Sequence, residues 1–319
     1  MKHVNIINEC EVCGNNKLES VLNLGNHALC GDLIKISSKK INIKYPINIL
    51  FCQNCVTAHQ KYQVNKIKLF PQSYQYRAKM TNDVLNGMLN LINFIKKNNI
   101  NLKKVKVIDI GCNDGSLLNF FSKYTKYTYG VEPTDASKDI SKKHKVFKCY
   151  FNKANAKKIK RKYGTFDIIT FTNVFAHIED LNQLIDSLKI ISNDKTKFVI
   201  ENHYLGAIID NFQFDTFYHE HPRSYSLTSF KYIADKLDRS ILNFDFPERY
   251  GGNIRVIISK NKILNYQKQK FLNVLNKEKK FFYRIKKFKS KINLWQKDLT
   301  LKLKKLNKKY GKIRAKAFQ

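Results

Sequence analysis

The segment Val107-Ile108-Asp109-Ile110-Gly111-Cys112-Asn113-Asp114-Gly115 constrains this 319-residue chain more than any other. The largely apolar run Val105 to Ile110 reads as a strand buried in a sheet. It ends in a turn flanked by Gly111 and Gly115, and a helical pattern follows from Ser116 to Tyr124. Glycines at such a turn let the backbone approach a ligand where a side chain would collide. The spacing is not Gly-x-Gly-x-x-Gly, so a nicotinamide dinucleotide is not the expected ligand.

The surrounding sequence repeats the same alternation. Val84, Leu85, Met88, Leu89, Ile92 and Ile95 recur at helical spacing and predict a helix over Asn82 to Lys97. Strands are expected at Tyr127 to Val131, Phe166 to Phe171 and Lys197 to Ile200, with a helix over Leu181 to Ile191 between the last two. Ile241 to Phe246 and Ile254 to Ser259 would close the sheet. Strand–helix alternation of this kind predicts an α/β fold around a mostly parallel, doubly wound sheet. In such a sheet, the acid that ends Tyr129-Gly130-Val131-Glu132-Pro133 stands where both ribose hydroxyls of an adenosyl group can be accepted.

Two Cys-x-x-Cys pairs, Cys10/Cys13 and Cys52/Cys55, precede this region. Two intervening residues let both sulfurs of a pair turn toward one point, and four thiolates close a tetrahedral zinc sphere with no position left for chemistry. The expected ion is therefore structural, replacing a core that about 60 residues cannot build. Val56 to Val64 suits a strand packing back on the site, and Cys30, Cys112 and Cys149 read as packing residues. Three regions result: a zinc-binding domain over 1–65, the α/β domain over 66–260, and a basic helical extension over 261–319. The last carries twenty lysines and arginines against Glu278 and Asp298, and its apolar spacing predicts one or two amphipathic helices.

A hydrophobic fraction of 43% can build a core, and no stretch has the roughly 20 apolar residues of a membrane span. With no export-type leader in Met1 to Cys10, the expected location is the cytoplasm. The net charge of +34 raises nucleic acid as a partner. The lysines are spread over every segment, however, and do not interleave with aromatics in one patch, so nucleic acid is not the expected partner.

Val107 to Gly115 looks like the first motif of class I methyltransferases, with Asn113 where a third glycine often sits. Phe166 to Ile169 followed by Thr170 to His177 resembles the strand and loop with which methyltransferases complete the cofactor pocket. Further along come Asn173-Val174-Phe175-Ala176-His177-Ile178, Glu201-Asn202-His203-Tyr204, Tyr218-His219-Glu220-His221 and Gly251-Gly252-Asn253-Ile254-Arg255. With the cysteine pairs, these segments resemble the sugar C-methyltransferase family, from Cys10 to about Lys312. Members of that family act on nucleotide-linked keto-deoxysugars, typically dTDP-4-keto sugars. The resemblance implies a class I, Rossmann-like methyltransferase fold with a mostly parallel seven-stranded sheet. It also implies structural zinc and S-adenosylmethionine, with Asp109, Gly111, Asn113, Gly115, Glu132, Asn173 and Tyr76 at the cofactor.

Methylating carbon requires a base to remove a proton beside a ketone, and histidine, with a free pKa of about 6.5, suits that task. The resemblance makes His221 the base, with Tyr218, Glu220 and His177 at supporting positions and Tyr74 and Tyr76 in an aromatic segment near cofactor and substrate. Read from the residues alone, His219 and His221 also fit a metal-binding pair, and Arg255 fits either a phosphate contact or a surface ion pair. Family members continue past the segment matching Tyr310 to Lys316 into a second nucleotide-binding-like domain. The expectation here is a form lacking that domain, which puts nucleotide-sugar binding in question. The alternatives are a zinc-containing RNA methyltransferase and a catalytically impaired truncated form. Against the RNA reading, Asn173 is followed by Val174 and Phe175 and not by the two prolines typical of many base-amino methylators.

Overall fold

A computed structural model describes residues 4–35 and 37–313, so the last part of the segment Tyr310 to Lys316 lies outside the described residues. Five strands form first: β1 (Val4–Ile6), β2 (Glu19–Ala28), β3 (Lys44–Cys52), β4 (Thr57–Gln60) and β5 (Tyr62–Val64). Cys52 ends β3, and the Cys52 to Cys55 knuckle is the turn that reverses the chain into β4. The single strand expected over Val56 to Val64 is broken at Lys61, whose amide donates to the Asn48 carbonyl at 2.7 Å.

Eight further strands follow: β6 (Val107–Ile110), β7 (Thr128–Val131), β8 (Lys145–Phe147), β9 (Ile168–Thr172), β10 (Lys197–His203), β11 (Arg223–Ser224), β12 (Ser240–Asp245) and β13 (Asn253–Ser259). All but β11 form one seven-stranded sheet in the order β12-β13-β10-β9-β6-β7-β8. It is parallel except for β13, which runs antiparallel to both β10 and β12. Successive side chains of a strand face opposite layers. Val107, Ile168, Val199 and Ile257 accordingly pack beneath the helix Asn82–Lys97, on Leu91, Ile92 and Ile95. Ile108, Ile169, Ile200 and Ile258 face the other layer, with the helices Lys153–Tyr163, Leu181–Ile191 and Leu227–Lys236. The alternation explains why these strands read as continuous apolar runs.

β6 starts at Val107, two residues later than expected, because the Lys106 amide is taken by the Asp167 carboxylate at 2.8 Å. The sequence pattern does not predict β8, a short, half-exposed edge strand without an apolar run.

The zinc module and the α/β domain share one fabric. β11 pairs antiparallel with β4 and becomes the fourth strand of the N-terminal sheet, setting Arg223 opposite His59. Arg223 is 1% exposed. It donates to Glu11 inside the first cysteine knuckle at 2.7 Å, to the Tyr225 hydroxyl at 2.9 Å, and to the carbonyls of Ile178 and Glu179.

The C-terminal region forms three helices, Lys268–Glu278, Phe281–Ile285 and Phe288–Tyr310, one more than the periodicity predicts. Phe281, Phe282, Ile285 and Phe288 are buried in the same core as the cysteine module. Among the described residues, no helix is long and apolar enough to cross a membrane.

Candidate active site

The four cysteines of the two knuckles converge, all sulfurs lying within 4.8 Å of one another. Cys10 and Cys55 are 3.3 Å apart and Cys13 and Cys52 3.6 Å. A tetrahedral ion at the usual Zn–S distance of about 2.3 Å spaces its sulfurs about 3.8 Å apart, so the set fits structural zinc with little adjustment. Asn15 and Asn54 direct side-chain amides at Cys52 and Cys13, the outer-shell hydrogen bonds such thiolates receive. His219 takes no part in a second metal centre. It bonds the Tyr45 carbonyl at 3.1 Å, away from His221, and the four-cysteine set is the one converging ligand group among the described residues. Of the three remaining cysteines, Cys112 is buried as expected, Cys149 is half-buried, and Cys30 is exposed because it sits in a loop off the module.

A cavity of about 380 Å³ opens at the C-terminal ends of the parallel strands, where doubly wound sheets bind ligands. The glycine turn forms one wall. Gly111 has φ +72°, and a Cβ there would meet Val174 at 2.5 Å. Asn113 has φ +50°, a left-handed conformation that asparagine tolerates better than most residues, which explains how it replaces a glycine. Its side chain accepts from the Ala78 amide at 2.9 Å and donates to the Tyr76 carbonyl at 3.1 Å, fastening the aromatic segment to the turn. Gly115, at φ +78°, caps the helix Ser116–Phe121 and is the one expected cofactor residue that does not line the cavity.

Glu132 is 5% exposed and its carboxylate is already oriented. One oxygen accepts from the Asn113 amide at 3.0 Å, and the other from the amide and hydroxyl of Thr134 at 2.8 and 2.6 Å. A carboxylate offers about four acceptor sites, and with three taken one remains, on the oxygen that faces Asn113, for a ribose hydroxyl. This arrangement fits the ribose of S-adenosylmethionine. Asp109, beneath the turn, accepts from Thr170 at 2.7 Å, and burial together with Glu132 pushes its carboxyl up to about 7. Asn173 lines the cavity with φ +53°, and its Oδ1 accepts from Asn253.

The expected base faces this wall from the Tyr218–His221 segment. His221 Nδ1 lies 3.1 Å from the Thr216 carbonyl, which can only accept, so Nδ1 carries the hydrogen. Nε2 is left as the basic nitrogen, 3.2 Å from the Tyr218 hydroxyl. Burial, with His177 and His203 nearby, holds the His221 ring well below the usual histidine pKa, so it is neutral and able to accept a proton. His177 packs at 4.9 Å between ring centroids from His221 and stacks on Phe70 at 5.1 Å. Glu220 accepts from the Tyr74 hydroxyl at 3.1 Å, and burial pushes its carboxyl up to about 7. Tyr76 contributes to the rim and is partly exposed.

Arg255 is not at a phosphate position. Its guanidinium is 3% exposed and pairs with the buried Glu201 at 2.7 Å, which also holds Arg249 and Asn253. The expected alternative of a surface ion pair becomes a buried one, beneath the cavity floor. Several cavity-lining residues to which sequence reasoning assigned no role carry unpaired polar atoms. Thr172 Oγ1, both amide atoms of Asn202 and both ring nitrogens of His203 are buried without a hydrogen-bond partner among the described residues. The signal was present in the Glu201-Asn202-His203-Tyr204 segment, where polar residues end an apolar strand.

Comparison with known proteins agrees with this architecture. The family model described as a methyltransferase domain matches residues 76–241, and one for a zinc binding domain matches residues 10–70. C-methyltransferase NovU of Streptomyces niveus is 23% identical over 253 residues, 78% of this chain and 60% of that protein. The chain thus spans about 60% of the length of this curated relative. Among solved structures, magnesium protoporphyrin IX methyltransferase from Synechocystis PCC 6803 with bound SAH matches 56% of this chain and 84% of its own, at 11% identity and a TM-score of 0.43. A SAM-dependent methyltransferase from Anabaena variabilis ATCC 29413 matches 57% and 86%, at 16% identity and a TM-score of 0.43.

Proposed function

Starting from the premise that this chain belongs to the S-adenosylmethionine-dependent methyltransferases, we propose that it methylates a carbon atom next to the ketone of a nucleotide-linked keto-deoxysugar. The observation that carries this reading is the fixed tautomer of His221, whose basic Nε2 shares one cavity with the glycine turn and Glu132. Methylation of oxygen or nitrogen uses lone pairs already present. Carbon has none until a proton is removed, so a positioned neutral base favours carbon as the acceptor.

When bound, S-adenosylmethionine supplies an electrophilic methyl group. Glu132 and the backbone of the Gly111 turn would hold its adenosine end. His221 Nε2 takes the proton next to the ketone, and the C–H bonding pair moves into the enolate. The imidazolium and enolate then neutralise one another inside a cavity that disfavours either charge alone. Tyr218 keeps the ring in register through its contact with Nε2. The similarity to a C-methyltransferase supports the same reading.

The test is solvent exchange. Zinc-loaded protein with a nucleotide-linked 4-keto-6-deoxysugar and S-adenosylhomocysteine should exchange the proton beside the ketone in deuterated water. His221→Asn should abolish that exchange. Retained exchange in the variant removes His221 as the base, and no exchange in wild type removes the keto-sugar acceptor.

A further inference from the structure

His203 is the last residue of β10, at the mouth of the parallel sheet. Its ring stands edge-on to His221 with centroids 5.4 Å apart and planes at 88°, and it meets Tyr250 at 5.4 Å from another side. His221 is anchored by a backbone carbonyl, whereas neither ring nitrogen of His203 has a partner among the described residues, although both are buried. Leaving a buried polar group unpaired forfeits its hydration, and native structures rarely do so without a ligand or water to complete it. The residue lines the same cavity as the base.

We propose that His203 touches the acceptor, its ring N–H donating to the ketone oxygen that gains charge while His221 removes the neighbouring proton. This rests on the keto-acceptor reading above. In that step the C–H bond breaks, its hydrogen goes to Nε2 of His221, its electron pair forms the C=C bond, and the carbonyl π pair moves onto oxygen. The N–H of His203 stays intact and stabilises the oxygen as a hydrogen-bond donor, in the manner of an oxyanion hole. Burial, with Arg249 nearby, keeps the ring neutral by lowering its pKa to about 4. A neutral imidazole carries one N–H and one lone pair, and with no protein partner to fix the tautomer, either nitrogen can turn its hydrogen toward the acceptor. Because a neutral donor stays bound to its hydrogen, it does not compete with His221 for the proton.

The experiment uses the zinc-loaded full chain, dTDP-4-keto-6-deoxyglucose as the probe and S-adenosylhomocysteine in the donor site. Proton exchange next to the ketone is followed by NMR in deuterated water, and S-adenosylhomocysteine affinity by calorimetry. His203→Phe should slow exchange roughly 100-fold, the usual effect of removing one such donor, while His203→Gln, which keeps an N–H, should recover about tenfold of that loss. Both variants should bind S-adenosylhomocysteine within about twofold of wild type, which also shows that they fold. Unchanged exchange in His203→Phe overturns the proposal. So does a loss of S-adenosylhomocysteine affinity in step with the loss of exchange in both variants, which places His203 on the donor side. If wild type shows no exchange with the probe, the keto-acceptor reading fails and the proposal fails with it.

Discussion

Tyr218 packs on His221 with ring centroids 4.3 Å apart and sets its phenol hydroxyl 3.2 Å from Nε2, the nitrogen that the Thr216 carbonyl leaves unprotonated on the far side of the ring. On the proposed reading, the hydroxyl contact both orients the base and occupies its lone pair until an acceptor arrives. His221→Asn should lower turnover by roughly 1,000-fold, within the range for loss of a general base. Tyr218→Phe keeps the base and the ring packing and should lose only about 10-fold to 100-fold. Initial rates of methyl transfer compare the two. Equal losses contradict the division of roles.

On the donor side, Glu132→Gln retains shape and removes charge. Charge-assisted hydrogen bonds contribute about 1.5–3 kcal/mol each, so S-adenosylhomocysteine should bind roughly 10-fold to 100-fold more weakly. Gly111→Ala should weaken it as well, since a Cβ at φ +72° meets Val174 at 2.5 Å. Calorimetric titration reads both. Unaltered affinity in Glu132→Gln removes the ribose assignment.

The zinc module is predicted to act on the acceptor site as well as on its own stability. Arg223, two residues beyond His221, is hydrogen-bonded to Glu11 between Cys10 and Cys13 and to the carbonyl of Ile178 beside His177. Removing zinc with a chelator should lower the thermal midpoint and also slow exchange at the ketone. Arg223→Met should reproduce part of the second effect with zinc still bound, because Glu11 loses its buried partner at a cost of about 3–5 kcal/mol. Zinc content by absorption spectroscopy alongside the exchange rate separates the two. Normal exchange in zinc-free protein contradicts the linkage.

Glu278 predicts that the basic C-terminal helices are integral to the fold. It is 0% exposed and accepts from the amides of Leu227 and Thr228 at 2.8 Å each, from the Thr228 hydroxyl at 2.6 Å and from Tyr204 at 2.9 Å. Its carboxyl group stands at the N-terminus of the helix Leu227–Lys236, where negative charge is favoured, against the burial that pushes its pKa up. Glu278→Ala strands those donors and should cost about 3 kcal/mol or more in chemical denaturation. A loss below about 1 kcal/mol contradicts the assigned contacts.

Neutral burial of His177 gives stability a defined dependence on pH. Burial and His203 hold its folded pKa at about 4, against the ordinary 6.5. Below 6.5 the unfolded chain takes up a proton that the folded protein refuses until about 4, so this group lowers stability as pH falls through that window and is silent above it. Asp109 and Glu220, raised to about 7, act in the opposite sense over much of the same range. The histidine effect is therefore isolated by comparison with His177→Phe. The variant should gain on wild type as pH falls, by at most about 1.4 kcal/mol per pH unit. A gap independent of pH between 7 and 5 contradicts neutral burial.

Features set by local pattern were legible in the sequence. Val107 to Gly115 announces a strand and turn within nine residues, and Asn82–Lys97 forms a helix over the span its periodicity predicts. The cysteine spacing announces a ligand set without any knowledge of how the loops close. Most of the cavity residues were also visible as short motifs, since each sits at the end of a strand or in a loop next to one. Contacts between distant segments were not legible. Arg223 meets Glu11 across 212 positions, and nothing in Arg223-Ser224 marks a strand that joins the N-terminal sheet. His203 was passed over because what marks it is the lack of partners at its ring nitrogens among the described residues, which only a folded structure reveals. Arg255 fitted either a phosphate contact or a surface ion pair, and the structure turns it inward to Glu201 because that buried carboxylate must be neutralised.

The most direct test of carbon methylation is to supply S-adenosylmethionine labelled with carbon-13 in its methyl group and follow the label in dTDP-4-keto-6-deoxyglucose by NMR. The account predicts a methyl carbon bonded to the ring carbon beside the ketone, with formation suppressed in His221→Asn. A labelled methyl on oxygen or nitrogen, or transfer only to added RNA, would contradict it.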